Sequence, residues 1–329
     1  MSDIYYTVDT KEDLRIARFL EADSSKTLKV GVVGDSLIDE YYQVVVNRIS
    51  PEFPIALMQS NTEKPSVTVP GGAANVCCQF KHFNVSSSLI SLINTEKSEI
   101  FAKHCNIDHS IILPEIVQPT KRRFYQDHFP ISRWDVEQKN YGLDDTLLFC
   151  LQDDLIDLIS KLEFDIIIYS DYNKGVLNGR FQKFLQASKN AITFVDPKKT
   201  IKGWEQCDYL KANYQEMHSY SDKKYIEEKI LDIGFNNVVT TDGGRYVYYK
   251  DGRHVKIYNP EEKVEPNSVI GAGDCFMAFF AMAIARGLSL DNAVHIAFQA
   301  GKQYVKAKYN EPLTKENLVA ATVCTNTAS

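Results

Sequence analysis

A chain of 329 residues can form one large α/β domain or two smaller ones, and 44% hydrophobic with 24% charged residues is ordinary for a globular protein with an ample core. The net charge of −6 leaves no basic field to draw nucleic acid or an anionic membrane surface. No run of about 18 apolar residues occurs, so no membrane-spanning helix is expected, and the polar N-terminus is unlike a secretory signal, which makes the cytoplasm the expected location.

Residues 1–27 read as a polar N-terminal arm holding one short amphipathic helix, with Leu14, Ala17 and Leu20 on one side. Leu28 to Gly34 is a buried first strand, and Gly34-Asp35 lies at its carboxyl end, where open α/β sheets bind ligands. Asp35 and Asp39 are therefore candidates for gripping hydroxyl groups. The β-rich runs Tyr41 to Arg48, Ile55 to Ser60 and Val67 to Val69 follow without an intervening helix. They read as a small antiparallel sheet inserted over about 41–69, placed like a lid, with 107–136 a second candidate insertion. Pro70-Gly71-Gly72-Ala73-Ala74-Asn75 opens a helix to about Phe83. Its paired glycines allow close approach of a ligand, and Asn75 offers a donor and an acceptor to a polyol.

Ser88 to Ile93 is a strand, Glu96 to Cys105 a helix, and Ile107 to Leu113 and Thr120 to Gln126 further strands. Alternation in the last puts Lys121 and Arg123 on one face and Arg122 on the other; the three cations read as a phosphate clamp or as a solvated strand face. The second half alternates strand and helix. A helix over 144–162, with Leu147, Leu148, Leu151, Leu155, Leu158, Ile159 and Leu162 on one face, precedes the strand Phe164 to Ser170, which ends in Asp171-Tyr172-Asn173-Lys174. A helix at about 178–190, the strand Ala191 to Val195 with Asp196-Pro197-Lys198, and Asp208 to Lys211 with Asn213 and Glu216 come next. After them stand a helix at about 222–233, the strand Asn237 to Thr241 and a hairpin across Asp251-Gly252. Helices follow at about 272–286, 289–308 and 314–323. This pattern predicts a mostly parallel sheet covered on both faces.

The seven cysteines, Cys77, Cys78, Cys105, Cys150, Cys207, Cys275 and Cys324, are odd in number and lack metal-ligand spacing, so reduced thiols are expected. Gly271-Ala272-Gly273-Asp274-Cys275 starts the apolar helix at 272–286. Small residues at a helix N-terminus leave amides to receive an anion, and an acid embedded there suits a base that strips a proton from an attacking alcohol. An ordinary first-turn acid is the plainer alternative. Cys275 reads either as a partly ionised thiol or as a small residue filling a tight turn. No GxxxxGK[ST], GxGxxG or GxSxG motif occurs, against a P-loop, a dinucleotide fold and an α/β-hydrolase.

These motifs together resemble the ribokinase-like (PfkB) carbohydrate kinases, through Gly271-Ala272-Gly273-Asp274 and Pro70 to Asn75. Within that family the similarity is strongest to the kinase domain of the bacterial heptose 7-phosphate kinase/ADP-heptose synthase group. It rests on Gly34-Asp35 with Asp39, Arg48-Ile49-Ser50-Pro51-Glu52, Ser170-Asp171-Tyr172 with Lys174-Gly175, Asp196-Pro197-Lys198, and Asn213 with Glu216. The resemblance spans about 28–310 and implies a three-layer α/β/α sandwich over 28–329 with a β-sheet lid, expected to be a stand-alone kinase. It implies ATP and Mg²⁺ as cofactors and phosphorylation of a sugar or sugar phosphate, a heptose 7-phosphate at its 1-hydroxyl leading.

Asp274 would be the base and the amides of Gly271, Ala272 and Gly273 the anion hole. Asp35, Asp39, Gly71, Gly72 and Asn75 would hold the sugar, with Arg48, Lys121 and Lys174 also on the acceptor side. Asn213 and Glu216 would serve ATP and Mg²⁺, with Glu216 as the metal residue. Lys198 would reach phosphate, Thr241, Gly243 and Gly244 would approach the nucleotide, and Ala297, Gln299 and Ala300 would lie near adenine. A homodimer through the lid strands is the implied assembly. Cys275 stands where the family has Thr or Ser, Asn94 to Lys97 replaces a Gly-Asp-Asp-like turn, Phe298 and Gln299 replace small residues and Asn, and Lys211 stands where Thr-Pro is common. A kinase for another sugar or a nucleoside, and a catalytically silent sugar- or nucleotide-binding regulator, are the competing readings.

Overall fold

The computed structural model describes residues 11–260, 264–307 and 309–323, so Cys324 and the first ten residues of the expected arm lie outside the described residues. The chain begins with α1 (Lys11–Ser25), β1 (Leu28–Gly34), β2 (Ser36–Gln43), β3 (Val45–Ile49), β4 (Ala56–Gln59), β5 (Val67–Gly72) and α2 (Ala73–Cys78). It continues through β6 (Val85–Ile90), β7 (Leu92–Asn94), α3 (Ser98–Ala102), β8 (Ile111–Leu113), β9 (Thr120–Gln126) and β10 (Phe129–Val136). The alternating half comprises α4 (Asp145–Lys161), β11 (Ile166–Asp171), α5 (Phe181–Ala187), β12 (Ile192–Pro197), β13 (Tyr209–Asn213), α6 (Tyr214–Tyr220), α7 (Ile226–Asp232) and β14 (Asn237–Asp242). Then come β15 (Tyr246–Asp251), β16 (His254–Tyr258), α8 (Ala272–Ala285), α9 (Leu290–Tyr304) and α10 (Lys315–Val323).

The main sheet has the order β16-β15-β14-β13-β12-β11-β1-β6. β6 through β14 run parallel, and β15 and β16 close one edge antiparallel. Because successive side chains of a strand point to opposite faces, β11 supplies both cores. Ile166 and Ile168 pack with α1, α2, α8, α9 and α10, whereas Ile167 and Tyr169 pack with α4, α5, α6 and α7. The result is the expected three-layer α/β/α sandwich. In α4 the Asp144 carboxylate accepts the Leu147 amide at 2.9 Å, capping the helix, and Leu148, Leu151, Leu155 and Ile159 are buried at helical spacing. Leu147 faces outward in the first turn.

The lid differs in composition from the expectation. It is a four-stranded sheet of order β10-β9-β2-β5, in which β2 and β9 pair parallel and the other pairs are antiparallel. Thus 120–136 belongs to it, while 45–59 forms a separate exposed hairpin and 111–113 pairs with β7 outside it. α1 also corrects the sequence reading. Its buried side carries Ile16, Phe19, Leu20 and Asp23, while Leu14 is exposed. Phe19 meets Phe83 and Phe279 at tilted angles, with centroids 6.1 and 6.2 Å apart, so this helix is part of the core.

Arg286, at the end of α8, fastens that helix down. Its guanidinium donates to the Ala22 carbonyl at 3.1 Å, the Asn84 carbonyl at 3.0 Å and the Asp23 carboxylate at 2.6 Å, and the Arg286 and Asp23 side chains are only 2% and 0% exposed. Without Arg286 the buried Asp23 keeps Lys315 at 2.6 Å and the Asn84 amide, so what is lost is a charged hydrogen bond and the ties to these carbonyls. Arg286→Ala is therefore expected to lower the unfolding free energy by about 1.5–3 kcal/mol, read by urea denaturation.

Candidate active site

The parallel strands present their carboxyl ends together, and the loops after β1, β11, β12, β13 and β14 meet the N-terminus of α8 there. Asp274, in the first turn of α8, is 5% exposed. Its two oxygens are held from opposite elements: Asn75 Nδ2 of α2 donates to Oδ2 at 2.8 Å and the Tyr172 hydroxyl to Oδ1 at 2.6 Å. Burial pushes the Asp274 carboxyl above the ordinary carboxylate range, and these two donors, with Lys198, pull it back. Asn75 is itself oriented, its Oδ1 accepting from Gln79 Nε2 at 3.2 Å and the Tyr304 hydroxyl at 3.3 Å. Asn75 thus faces Asp274 rather than standing open to a polyol.

Asp35 also has another task than expected. It is fully buried, and its carboxylate accepts the amides of Tyr172, Lys174 and Val176 at 2.9–3.0 Å and the Tyr141 hydroxyl at 3.4 Å. Asp35 therefore builds the loop that delivers Tyr172 to Asp274. Asp39, 4% exposed, is forked by Arg123 at 2.8 and 3.0 Å and contacted by Asn310 Nδ2 at 3.3 Å. The two glycines before α2 make room for these acids. A Cβ at Gly71 would stand 2.4 Å from Asp39 Oδ2, and one at Gly72, whose φ is +60°, 2.4 Å from the Asp35 carbonyl. The close approach that they permit here is between parts of the chain itself.

The cations segregate by strand face, as alternation in β9 requires. Arg122 pairs with Glu40 at 3.0 Å and stacks over Trp134 on one side. On the other, Arg123 holds Asp39 and the Lys121 ammonium lies 5.4 Å from the Tyr172 ring centre. Lys174 pairs with Glu137 at 2.6 Å. Arg48 is exposed on the β3–β4 hairpin, outside this group.

On the other side of Asp274 opens a cavity of about 470 Å³. Tyr172, Lys198, Asn213, Thr241, Gly243, Gly244 and the Gly271–Asp274 turn line it, with Phe298, Gly301, Lys302 and Val305 of α9 and its C-terminal end. Ala297, Gln299 and Ala300 are buried instead in the core face of α9, and Phe298 and Gly301 take the lining positions expected of them. Asn213 and Glu216 form a capping box at the start of α6: Glu216 Oε2 accepts the Asn213 amide at 2.7 Å and Asn213 Oδ1 the Glu216 amide at 2.8 Å. The remaining Glu216 oxygen meets Lys198 Nζ at 3.1 Å. A second cavity of about 260 Å³ lies between Tyr41 and Tyr125 of the lid, Asn267-Ser268 and Tyr309.

The comparisons bear on this arrangement. Residues 169–313 match the pattern of the pfkB family carbohydrate kinases. The matched stretch includes the Gly271–Asp274 turn. It is 28% identical over 295 residues to the bifunctional protein HldE of Histophilus somni, covering 82% of this chain and 58% of the relative. It is 26% identical over 285 residues to the HldE protein of Vibrio cholerae, covering 81% and 57%. The chain thus spans less than three fifths of these curated relatives. Its fold is similar to that of Escherichia coli phosphofructokinase-2 in complex with potassium, with a TM-score of 0.71 at 14% identity, covering 91% of this chain and 98% of that one. Arabidopsis thaliana ribokinase complexed with ribose and ATP gives 0.66 at 15% identity, with 90% and 99% covered.

Against the family pattern, two residues of this site stand out that sequence reasoning did not assign to it. Lys211, noted above only as a departure, is 2% exposed; its ammonium pairs with Asp196 at 2.8 Å and lies 3.0 Å from where a Cβ at Gly273 would stand. Asp196 also takes Lys198 at 3.1 Å. Burial opposes the Asp196 charge, but the two lysines outweigh it and hold its carboxyl below the ordinary range. Asp171, buried one strand away and accepting the Asn173 amide at 2.7 Å, is pushed up to about 7 by burial and by Asp35. The second residue is Tyr172, whose apolar ring gave no local signal of a hydroxyl aimed at a carboxylate 102 residues further along the chain. Cys275 is wholly buried, and burial followed by the nearby Asp274 pushes its thiol well above the ordinary range, which fits the small space-filling residue and not the thiolate.

The turn geometry depends on Gly271, where φ is +77°. A Cβ there would meet Asn75 Nδ2 at 2.5 Å and the Tyr304 hydroxyl at 2.6 Å. The amide of Ala272 donates to the Val269 carbonyl at 3.3 Å, so one of the three amides expected to receive an anion is spent within the turn. Gly271→Ala is expected to destabilise the protein by about 1–3 kcal/mol through strain alone, measured by the denaturation midpoint against the parent.

Proposed function

We propose that this protein is an ATP-dependent kinase that phosphorylates a hydroxyl of a sugar or sugar phosphate. The observation that carries this reading is the Asp274 carboxylate, buried at the N-terminus of α8, at the wall of a 470 Å³ cavity and oriented through both oxygens. In the proposed reaction the acceptor oxygen bonds to the γ-phosphorus of ATP, the bond to the β–γ bridging oxygen breaks, ADP leaves, and the acceptor proton passes to Asp274. The α8 N-terminus, with the amides of Gly271 and Gly273 and the Lys211 ammonium, faces the developing charge.

The cavity suits ATP. Glycines at 243 and 244 present bare backbone, and a Cβ at either would meet nothing within 4 Å. Phe298 and Val305 offer apolar walls, and Lys198, Lys211 and Lys302 offer cations for phosphates. The similarly folded Arabidopsis ribokinase, complexed with ribose and ATP, supports this use of the fold. The donors suit Mg²⁺ only as an ion that arrives with the nucleotide and keeps most of its waters. Glu216 shares its carboxylate with Lys198 and the Asn213 amide, and the described residues hold no group of three metal-ligating side chains.

The acceptor is proposed to sit between the lid and Asp274, with a heptose 7-phosphate as the leading candidate on the resemblance of Arg48 to Glu52 and Ser170 to Gly175. Lys121 is the cation best suited to an acceptor phosphate, since Arg122, Arg123 and Lys174 are each neutralised by a carboxylate. No described helix is long and apolar enough to cross a membrane, and a reducing compartment such as the cytoplasm suits the buried free thiols.

ADP release measured over a panel of hexoses, pentoses, heptoses and their phosphates tests the reading. Turnover with one matched acceptor is expected, and Asp274→Asn should lower kcat by about 10²–10⁴-fold. Turnover of Asp274→Asn at the parent rate would rule the base out. A second copy is proposed to cover the lid, where Phe129 and Trp134 of β10 and Ile49, Phe53 and Ile55 of the hairpin are exposed. Val45 at the start of the hairpin is exposed as well, while Val44 before it is buried. Light scattering should give twice the chain mass, and Phe129→Glu combined with Ile49→Glu should return it to the monomer.

A further inference from the structure

Resting on the kinase reading above, we infer that Tyr172 is a positioning residue for the base, its phenol holding Asp274 in the ionised, correctly turned state from a ring clamped between the lid and the sheet. The geometry is specific. The Tyr172 hydroxyl donates to Asp274 Oδ1 at 2.6 Å, a short bond of the kind made to a charged acceptor. Its backbone amide is fixed on Asp35 at 3.0 Å, so the residue enters the site from a rigid loop. Two ammonium groups lie over its ring: Lys121 of β9, from the lid, at 5.4 Å, and Lys198, after β12, at 5.3 Å. Cations over an aromatic face attract it, so lid strand and sheet grip the same side chain.

The phenol is built to donate and not to ionise. Burial, followed by the Asp274 charge, pushes its proton well above the ordinary tyrosine range. As a donor it favours the ionised form of Asp274, against the burial that favours the neutral acid. Other charges face this pair. Lys198 and Asp196 approach from β12 and its loop, and Lys211 from β13. Asp39 and Lys121 approach from the lid, and Tyr304 of α9 and Cys275 of α8 complete the surroundings. Tyr172→Phe leaves all of them in place, and it also keeps the ring that the two lysines cover. The change removes one hydrogen bond.

The test is the pH dependence of kcat/KM, with the acceptor found by the panel, for the parent, Tyr172→Phe and the protein carrying 3-fluorotyrosine at position 172. Loss of the donor should move the acid limb of Tyr172→Phe to higher pH and lower kcat/KM at the acid end on the order of tenfold. KM for ATP should change little. The more acidic fluorophenol, a stronger donor, should move the limb to lower pH. A side chain that merely fills space would instead lower kcat/KM by one factor at every pH. An acid limb that stays put in both altered proteins, while Asp274→Asn is inactive, would overturn this inference and leave the kinase reading standing. Parent-level turnover by Asp274→Asn would overturn both.

Discussion

The site hangs on a carboxylate that never reaches it. Asp35 is fully buried at the end of the first strand, and its oxygens gather the amides of Tyr172, Lys174 and Val176 and the phenol of Tyr141. Burial raises its carboxyl above the ordinary range and the four donors draw it back, a contest that only a complete set of donors can keep in balance. Because the three amides come from the loop after β11, the first strand and its parallel neighbour are joined at their carboxyl ends by side chain as well as by the ladder. The direction of Tyr172, and through it one of the two supports of Asp274, follows from that junction.

Charge is distributed across the strand ends in an order that can be read from burial. Asp35 is held by amides, Asp171 by little else than one amide, and Asp196 by two lysines, and their carboxyls rise, rise and fall accordingly. Lys198 illustrates the same competition from the other sign. Burial opposes its charge, but Asp196 and Glu216 outweigh burial and hold its ammonium above the ordinary lysine range. A cation kept charged, bonded to the capping box of α6 and stacked over Tyr172, joins the 470 Å³ cavity to the surroundings of Asp274. Glu216 reaches that cavity chiefly through Lys198.

Local pattern carried much of this into the sequence. β1 and β9 have the boundaries read from the sequence, and β15 and β16 form the hairpin expected across Asp251-Gly252, because their pairing partners and buried faces leave one workable register. The lid was less legible: β2 pairs with β9, some eighty residues away, and no local period announces a parallel pairing of that separation. Site residues divide along a similar line. Gly271 to Asp274 stand out locally because small residues with an acid at a helix start are unusual, whereas Asp35, Asn75, Gly71 and Gly72 looked alike as ligand contacts and as internal supports. Only the fold separates the two, since it shows which lone pairs are already taken. On α9 an error of one or two positions was enough to exchange the lining side, Phe298 and Gly301, for the buried one.

Lys211 gives the departure at Cys275 its physical context. A Thr or Ser at the position after the acid, as the resembling family has, would add a hydroxyl donor to the turn; the Cys275 thiol is wholly buried, stays protonated beside Asp274, and is at best a weak donor. At the same helix terminus this chain places an ammonium, held by Asp196 within van der Waals reach of Gly273. The Asp196 carboxylate offsets part of that charge, so the turn, half-buried at the cavity wall, meets the field of the Lys211–Asp196 pair. The two departures act in opposite directions on one quantity, the positive potential at the start of α8: the ammonium adds to it and the missing hydroxyl takes from it.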